Sequence, residues 1–281
     1  MKKILLFTMG LAMMFNLVSC SSDDDDGTSA GNDKKYLAEI TVKEHPWKFG
    51  ERSSYSEDYE NFKYDEKGNL LEKSTNYINQ TTGTRIYRRY KYAYDERNRL
   101  IVMDQWGLAF AKCKYQYNEF DSVSIMTNYN SEGKPLTEYT YEYDSSKRLS
   151  KEIERTLYMG SDYGYIYEYF YSGNTVTKVT TDLKFGTLEN TTVYEYDSHH
   201  NLVKSSTTNA VTGNTTVYDD NTYEYNAKGQ LTRWASKNWL LKNDISYRDY
   251  YYNEDGTIER IHLSYSFKEE KSDLIYTYIW K

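Results

Sequence analysis

FKYDEKGNL (62–70), YAYDERNRL (92–100) and YEYDSHHNL (194–202) share one plan: aromatic, any residue, Tyr, Asp, a short polar run and Leu. The plan reads as a β-hairpin. Asp or Asn after the second tyrosine bonds its own backbone two residues on and opens a turn. Gly68, Gly229 and Gly256 stand three residues further, where a type I turn with a G1 bulge needs positive φ. Asn98 and His200 take that place in other copies, and both tolerate the left-handed region better than most residues.

Working outward, five more copies appear: YQYNEFDSV (115–123), YEYDSSKRL (141–149), YFYSGNTV (169–176), YEYNAKGQL (223–231) and YYYNEDGTI (250–258). The copy at Tyr171 is one residue shorter, and its Gly173-Asn174 suits a tight two-residue turn. The mean period from Tyr64 to Tyr252 is about 27 residues. YLAEITVKE (36–44) reads as a lone return strand, and a half-copy, YTYIWK (276–281), as a lone outgoing one. Eight hairpins and two halves predict an all-β, up-and-down antiparallel meander of about 18 strands. Residues between the paired tyrosines are polar (Lys63, Gln116, Glu142, Glu195, Glu224), so no face is apolar enough to dock a second sheet. The meander is expected to close into a wide soluble barrel, which removes exposed edges; the alternative is an open single-layer sheet.

Carrying the turn register along the strands sets Tyr64 opposite Leu70 and Phe62 opposite Glu72. The same register pairs Tyr141 with Lys151, Tyr169 with Lys178, Tyr194 with Lys204, Tyr223 with Arg233 and Tyr250 with Arg260. These ten residues are the candidate ligand-binding set, a Tyr/Lys/Arg-lined face. The blander reading is ordinary cross-strand pairing with cation–π contacts of about 0.5–1 kcal/mol. A membrane-spanning barrel is disfavoured. Glu60, Arg88, Lys151 and Arg248 are expected on the tyrosine face and Arg89, Lys91 and Glu168 on the other. A midplane Lys or Arg facing lipid costs roughly 2–4 kcal/mol.

Of 281 residues 33 are tyrosine, 17% are aromatic and 2 are proline, which argues against disorder and collagen-like structure. Seventeen of the tyrosines belong to the repeated pairs, so the excess follows from the repeat. The formal charge of −7 provides no general attraction for nucleic acid.

MKKILLFTMGLAMMFNLVSC (1–20) has a basic start and an apolar run too short to span a bilayer, the layout of a cleaved signal peptide. Its last four residues resemble the lipobox of bacterial lipoproteins. That resemblance implies removal of residues 1–19 and lipidation of Cys20. Residues 20–35 then form a lipidated, acidic tether and 36–281 the hairpin domain. Ser22-Asp23-Asp24-Asp25-Asp26 resembles the acidic export signal of Bacteroidota surface lipoproteins, implying an outer-membrane, cell-surface location. A plain solvated linker is the alternative.

The unit Y-D-x-x-G-x-L, closest in YDEKGNL and YNAKGQL, resembles the YD (Rhs) repeat of bacterial toxin-shell and wall-associated proteins. The whole layout looks closer to a Bacteroidota lipoprotein family of unknown function described as having a porin-like fold. The first resemblance implies, weakly, carbohydrate binding on no particular residue.

The sequence holds no HExxH, CxxC, GxSxG or P-loop spacing. His199 and His200 fall in a hairpin turn, and Cys113, with Cys20 lipidated, reads as a structural thiol. No cofactor, metal site or catalytic residue is expected. The expected function is therefore a non-catalytic, lipid-anchored surface protein that binds a glycan. The alternatives are a structural protein docking another outer-membrane component and, as a minor one, a transmembrane pore.

Overall fold

The computed structural model describes residues 36–48, 51–52, 56–78, 84–106, 111–159, 162–237, 244–266 and 271–280. The signal peptide, Cys20 and the Ser22–Asp26 run lie outside the described residues. Strands β1 (Leu37–Lys48), β2 (Glu51–Arg52), β3 (Ser56–Tyr64), β4 (Leu70–Ile78) and β5 (Arg85–Tyr94) come first. Then follow β6 (Leu100–Trp106), β7 (Lys112–Tyr117), β8 (Val123–Tyr129), β9 (Pro135–Tyr143) and β10 (Leu149–Thr156). After a 3₁₀ turn at Leu157–Met159 come β11 (Gly164–Ser172), β12 (Thr175–Asp182), β13 (Leu188–Tyr196), β14 (Leu202–Asn209) and β15 (Thr215–Tyr225). The last are β16 (Leu231–Lys237), β17 (Ile245–Tyr252), β18 (Ile258–Tyr265) and β19 (Lys271–Trp280).

From β3 to β19 each described strand pairs antiparallel with the next, and β1 pairs with both β19 and β3. The meander thus closes into a barrel of 18 strands, with the two-residue β2 as a side branch on β1. The joint holds a cluster of buried apolar side chains, Leu37, Ile40, Ile261 and Tyr276, with Val42 and Leu274 against it. Ile40 lies opposite Tyr278 and Val42 opposite Tyr276, so the first and last strands are joined by packing as well as by ladder bonds.

The turns form as their residues dictate. Asp65 Oδ1 accepts from the backbone N–H of Lys67 at 2.9 Å and of Asn69 at 2.8 Å. Asp95, Asn118, Asp144, Asp197 and Asn226 repeat the motif. Positive φ falls on Gly68, Gly229 and Gly256, and on Asn98 and His200 as expected; Asp121 and Lys147 occupy the same place. At Gly68 there is a second demand, because a Cβ would lie 2.7 Å from the hydroxyl of Tyr36, which stacks on Tyr64.

The register differs from the expected one by one residue in seven of the eight hairpins. Tyr64 does face Leu70, but Leu71 is then bulged out, so Lys63 faces Glu72 and Phe62 faces Lys73. The bulge inserts one residue into the return strand, and with a side-chain period of two every later residue changes face. Accordingly Tyr141 faces Glu152, Tyr194 faces Ser205, Tyr223 faces Trp234 and Tyr250 faces Ile261. Lys151, Lys204, Arg233 and Arg260 face Glu142, Glu195, Glu224 and Tyr251 on the opposite surface. Only the hairpin with the two-residue turn has no bulge, and there Tyr169 faces Lys178 as expected.

The tyrosine face is the concave one. Side chains converge inside a cylinder and diverge outside it. Phe170 is 57% exposed while its neighbours Tyr169 and Tyr171, pointing the other way, are half-buried. Trp106, on the outer face beside Arg89, is 66% exposed, whereas Tyr115 on the inner face is 7% exposed.

Candidate functional site

In five of the pairs the second tyrosine is a fastening. Beyond the bulge the ladder to the next hairpin stops: β4 and β5 pair only from Glu72–Lys91 onward. The hydroxyl of Tyr94 donates to the Leu70 carbonyl just past that point, at 2.9 Å. Tyr117, Tyr143, Tyr171 and Tyr252 do the same to Leu100, Val123, Leu149 and Leu231 at 2.7–2.8 Å. At Leu202 the donor is Tyr223, at 2.8 Å, while Tyr225 bonds Asp197 and stacks on His199. Each such bond contributes about 1 kcal/mol and ties one repeat to the next.

The first tyrosine of each pair looks across at the return strand, where the repeat stops repeating. Its partners are Lys73 (facing Phe62), Met103, Met126, Glu152, Lys178, Ser205, Trp234 and Ile261 in chain order. These inward positions give the concave wall distinct sectors, and the β9–β12 sector is the most polar of them. There the hydroxyl of Tyr169 donates to Glu152 at 3.0 Å and that of Tyr167 to Glu154 at 2.8 Å. The Lys178 ammonium lies 5.1 Å from the Tyr167 ring centre. Burial raises the Glu152 carboxyl above the usual carboxylate range, against the Tyr169 hydrogen bond, and burial lowers Lys178 despite the nearby Glu152 charge. Tyr139 is pushed up to about 12, by burial first and then by the charges of Glu154 and Glu152. The sector offers two carboxylates, an amine and several rings on one inward surface. That set suits a polyhydroxylated ligand, with rings for stacking and carboxylates for accepting hydroxyl protons.

Of the ten candidate residues, Tyr141, Tyr169, Lys178, Tyr194, Tyr223 and Tyr250 stand on the concave wall. Lys151, Lys204, Arg233 and Arg260 do not; the bulge places them outside, so no continuous Tyr/Lys/Arg face exists. Outside, three of the four join cross-strand pairs: Lys204 to Glu195 at 3.8 Å, Arg233 to Asp249 at 2.6 Å and Arg260 to the fully buried Asp273 at 3.4 Å. Arg260 also lies 3.7 Å over the Tyr251 ring. Glu152 and Glu154 were absent from the expected set for the same reason. One signal of the bulge was legible: Ile258, Ile261 and Leu263 are spaced three and then two, which an unbroken strand does not give.

Cys113 is a buried free thiol on the concave wall, donating to Asn128 Oδ1 at 2.8 Å, and burial pushes it up to about 11. A thiol so protonated is a poor nucleophile. Among the described residues no group of His, Cys, Asp and Glu has metal-site geometry.

No family model and no curated protein matches the chain. Among solved structures it is similar to a porin-like protein from Bacteroides uniformis ATCC 8492, with 13% identity, 86% of this chain and 98% of that chain covered, and a TM-score of 0.44. The barrel assigned to this chain rests on its own strand pairing.

Proposed function

We propose that this chain is a lipid-anchored, surface-displayed, non-catalytic binding protein whose concave wall takes a glycan. The observation that carries the reading is the division of labour on that wall. Constant tyrosines fasten the repeats, while the facing positions vary and, over β9–β12, gather Glu152, Glu154 and Lys178 among rings. A wall needed only for closure has no use for a carboxylate whose burial raises its proton affinity. The lipobox-like end at Cys20 and the acidic run after it support an outer-membrane location with the lipid as the sole membrane contact, and the acidic balance speaks against nucleic acid as partner.

A spanning pore fits poorly. The concave face carries Glu60, Arg88 and Arg248, in register with Ile40, Thr75 and Trp234, and the convex face carries Arg89, Lys91, Lys151 and Glu168. Lys151, expected on the tyrosine face, adds instead to the charge of the other one. Neither surface forms an apolar belt. The second reading, a scaffold that docks another outer-membrane component, draws on the ion pairs of the convex wall.

Full-length protein is expected to bind on a glycan array, with binding weakened at least tenfold by Tyr169→Ala combined with Lys178→Ala. Silence across the array, with a protein partner recovered by crosslinking on cells, would favour the scaffold. Delipidated protein that needs detergent to stay monomeric would revive the pore.

A further inference from the structure

At the rim opposite the Y-D turns, the concave wall ends in an open depression of about 400 Å³, lined by Leu136, Thr137, Glu154, Thr156 and Tyr158. Small-ligand sites occupy roughly 300–1,000 Å³. Thr137 and Thr156 face each other across β9 and β10 and set two hydroxyls on the inner wall. Glu154 sits two residues before Thr156 on the same face and opposite Tyr139. The following 3₁₀ turn brings up Tyr158, a residue 69% exposed. Its exposed ring thus stands beside a carboxylate and two hydroxyls, with an apolar face to stack on and polar groups at its edge.

The neighbouring loops extend the same chemistry. Lys184, between β12 and β13, bonds the Tyr163 hydroxyl at 2.8 Å and lies over its ring at 3.9 Å, with Phe185 exposed beside it. Among the described residues the depression itself is lined by one acid and no base.

We propose that this depression is a sugar subsite that selects an uncharged pyranoside, with Tyr158 stacking on the ring and Glu154, Thr137 and Thr156 bonding its hydroxyls. The assignment rests on the glycan-binding reading above and makes it specific. A carboxylate that already accepts the Tyr167 proton bond on one oxygen is held in place to accept a ligand hydroxyl as well. Acidic sugars are disfavoured, because among the described residues the lining offers Glu154 and no cation to offset a second negative charge.

The test uses the full-length chain with three soluble probes: neutral maltooligosaccharides, acidic oligogalacturonates and cationic chitosan oligomers. Titration calorimetry is expected to show binding of the neutral probe, at least tenfold weaker in Tyr158→Ala and in Glu154→Gln, and unchanged in the convex-wall variant Lys112→Ala. Far-ultraviolet circular dichroism of each variant checks that the barrel is intact. Undiminished neutral binding in folded Tyr158→Ala and Glu154→Gln would overturn the subsite and leave the wider reading standing. Preference for the acidic or the cationic probe would overturn the ligand class. Wild-type silence toward all three, with a blank glycan array, would sink both.

Discussion

In each hairpin the outgoing and the returning strand are built on opposite principles. The outgoing strand is nearly invariant, Tyr-x-Tyr followed by Asp or Asn, and its side chains serve the architecture: one hydroxyl clamps the previous repeat and one carboxylate or amide closes the turn. The return strand begins with a bulge and thereafter carries whatever its sector needs, from Lys73 through Glu152 to Ile261. A repeat can therefore hold a barrel together while leaving half of its inner wall free to differ. Most of the tyrosine excess belongs to the frame, and the candidate chemistry belongs to the strands that do not repeat.

That contrast can be broken first at Gly164, where an outgoing strand leaves its rim. A Cβ there would lie 1.8 Å from the Glu154 backbone oxygen, at a φ of +148°. Gly164→Ala is expected to cost about 3 kcal/mol or more in urea unfolding, because backbone and not a flexible tip must move. Gly133→Ala, with open space around it, should cost only about 1 kcal/mol.

Alkaline pH attacks the outgoing strands together. Burial raises the hydroxyls of Tyr92, Tyr115, Tyr141, Tyr169, Tyr223 and Tyr276 above their usual value near 10. The folded state then holds protons that the unfolded chain releases, so stability is intact below pH 10 and falls as pH rises beyond it. Tyrosinate absorbance should appear together with loss of the barrel signal. Titration near pH 10 with the barrel intact would contradict the packing described.

A single clamp is worth less. Tyr143→Phe and Tyr94→Phe should each lower stability by about 1 kcal/mol, leaving the Val123 or Leu70 carbonyl short of a donor. On the return strand the direction is the same and the pH window lies lower. Glu152 is raised by burial, so its contribution to stability declines as pH climbs above about 4.5. Glu152→Gln should flatten that part of the pH–stability curve and cost little or nothing at neutral pH, measured by thermal unfolding across pH. The smallest effect is expected at His200, held at a φ of 64° in its turn: His200→Gly should raise stability by about 0.5–1 kcal/mol.

The hairpins, five of the turn residues at positive φ (Gly68, Asn98, His200, Gly229 and Gly256), the strand number and the pairing of the first and last strands were legible from the repeat of Tyr-x-Tyr-Asp and its turn. The face assignment of the return strands was not. It hangs on whether one residue after Leu70, Leu149 or Leu231 is paired or bulged, a choice settled by ladder geometry and by the tyrosine that caps the freed carbonyl from the next repeat. The depression beside Tyr158 was beyond sequence reasoning for a different reason: it is made by Thr137, Glu154 and a 3₁₀ turn that come together only in the folded wall.

The pairing of β1 with β19 sets a rule for biosynthesis. Hairpins can form one after another as the chain emerges, since each is local. β1 must wait through more than two hundred residues for its second partner, and until then one of its edges can recruit strands from other chains. Strand β19 thus acts as a completion check. A chain stopped before Lys271 would carry every turn and nearly every clamp, yet it would remain an open sheet with two free edges, marked for aggregation or proteolysis.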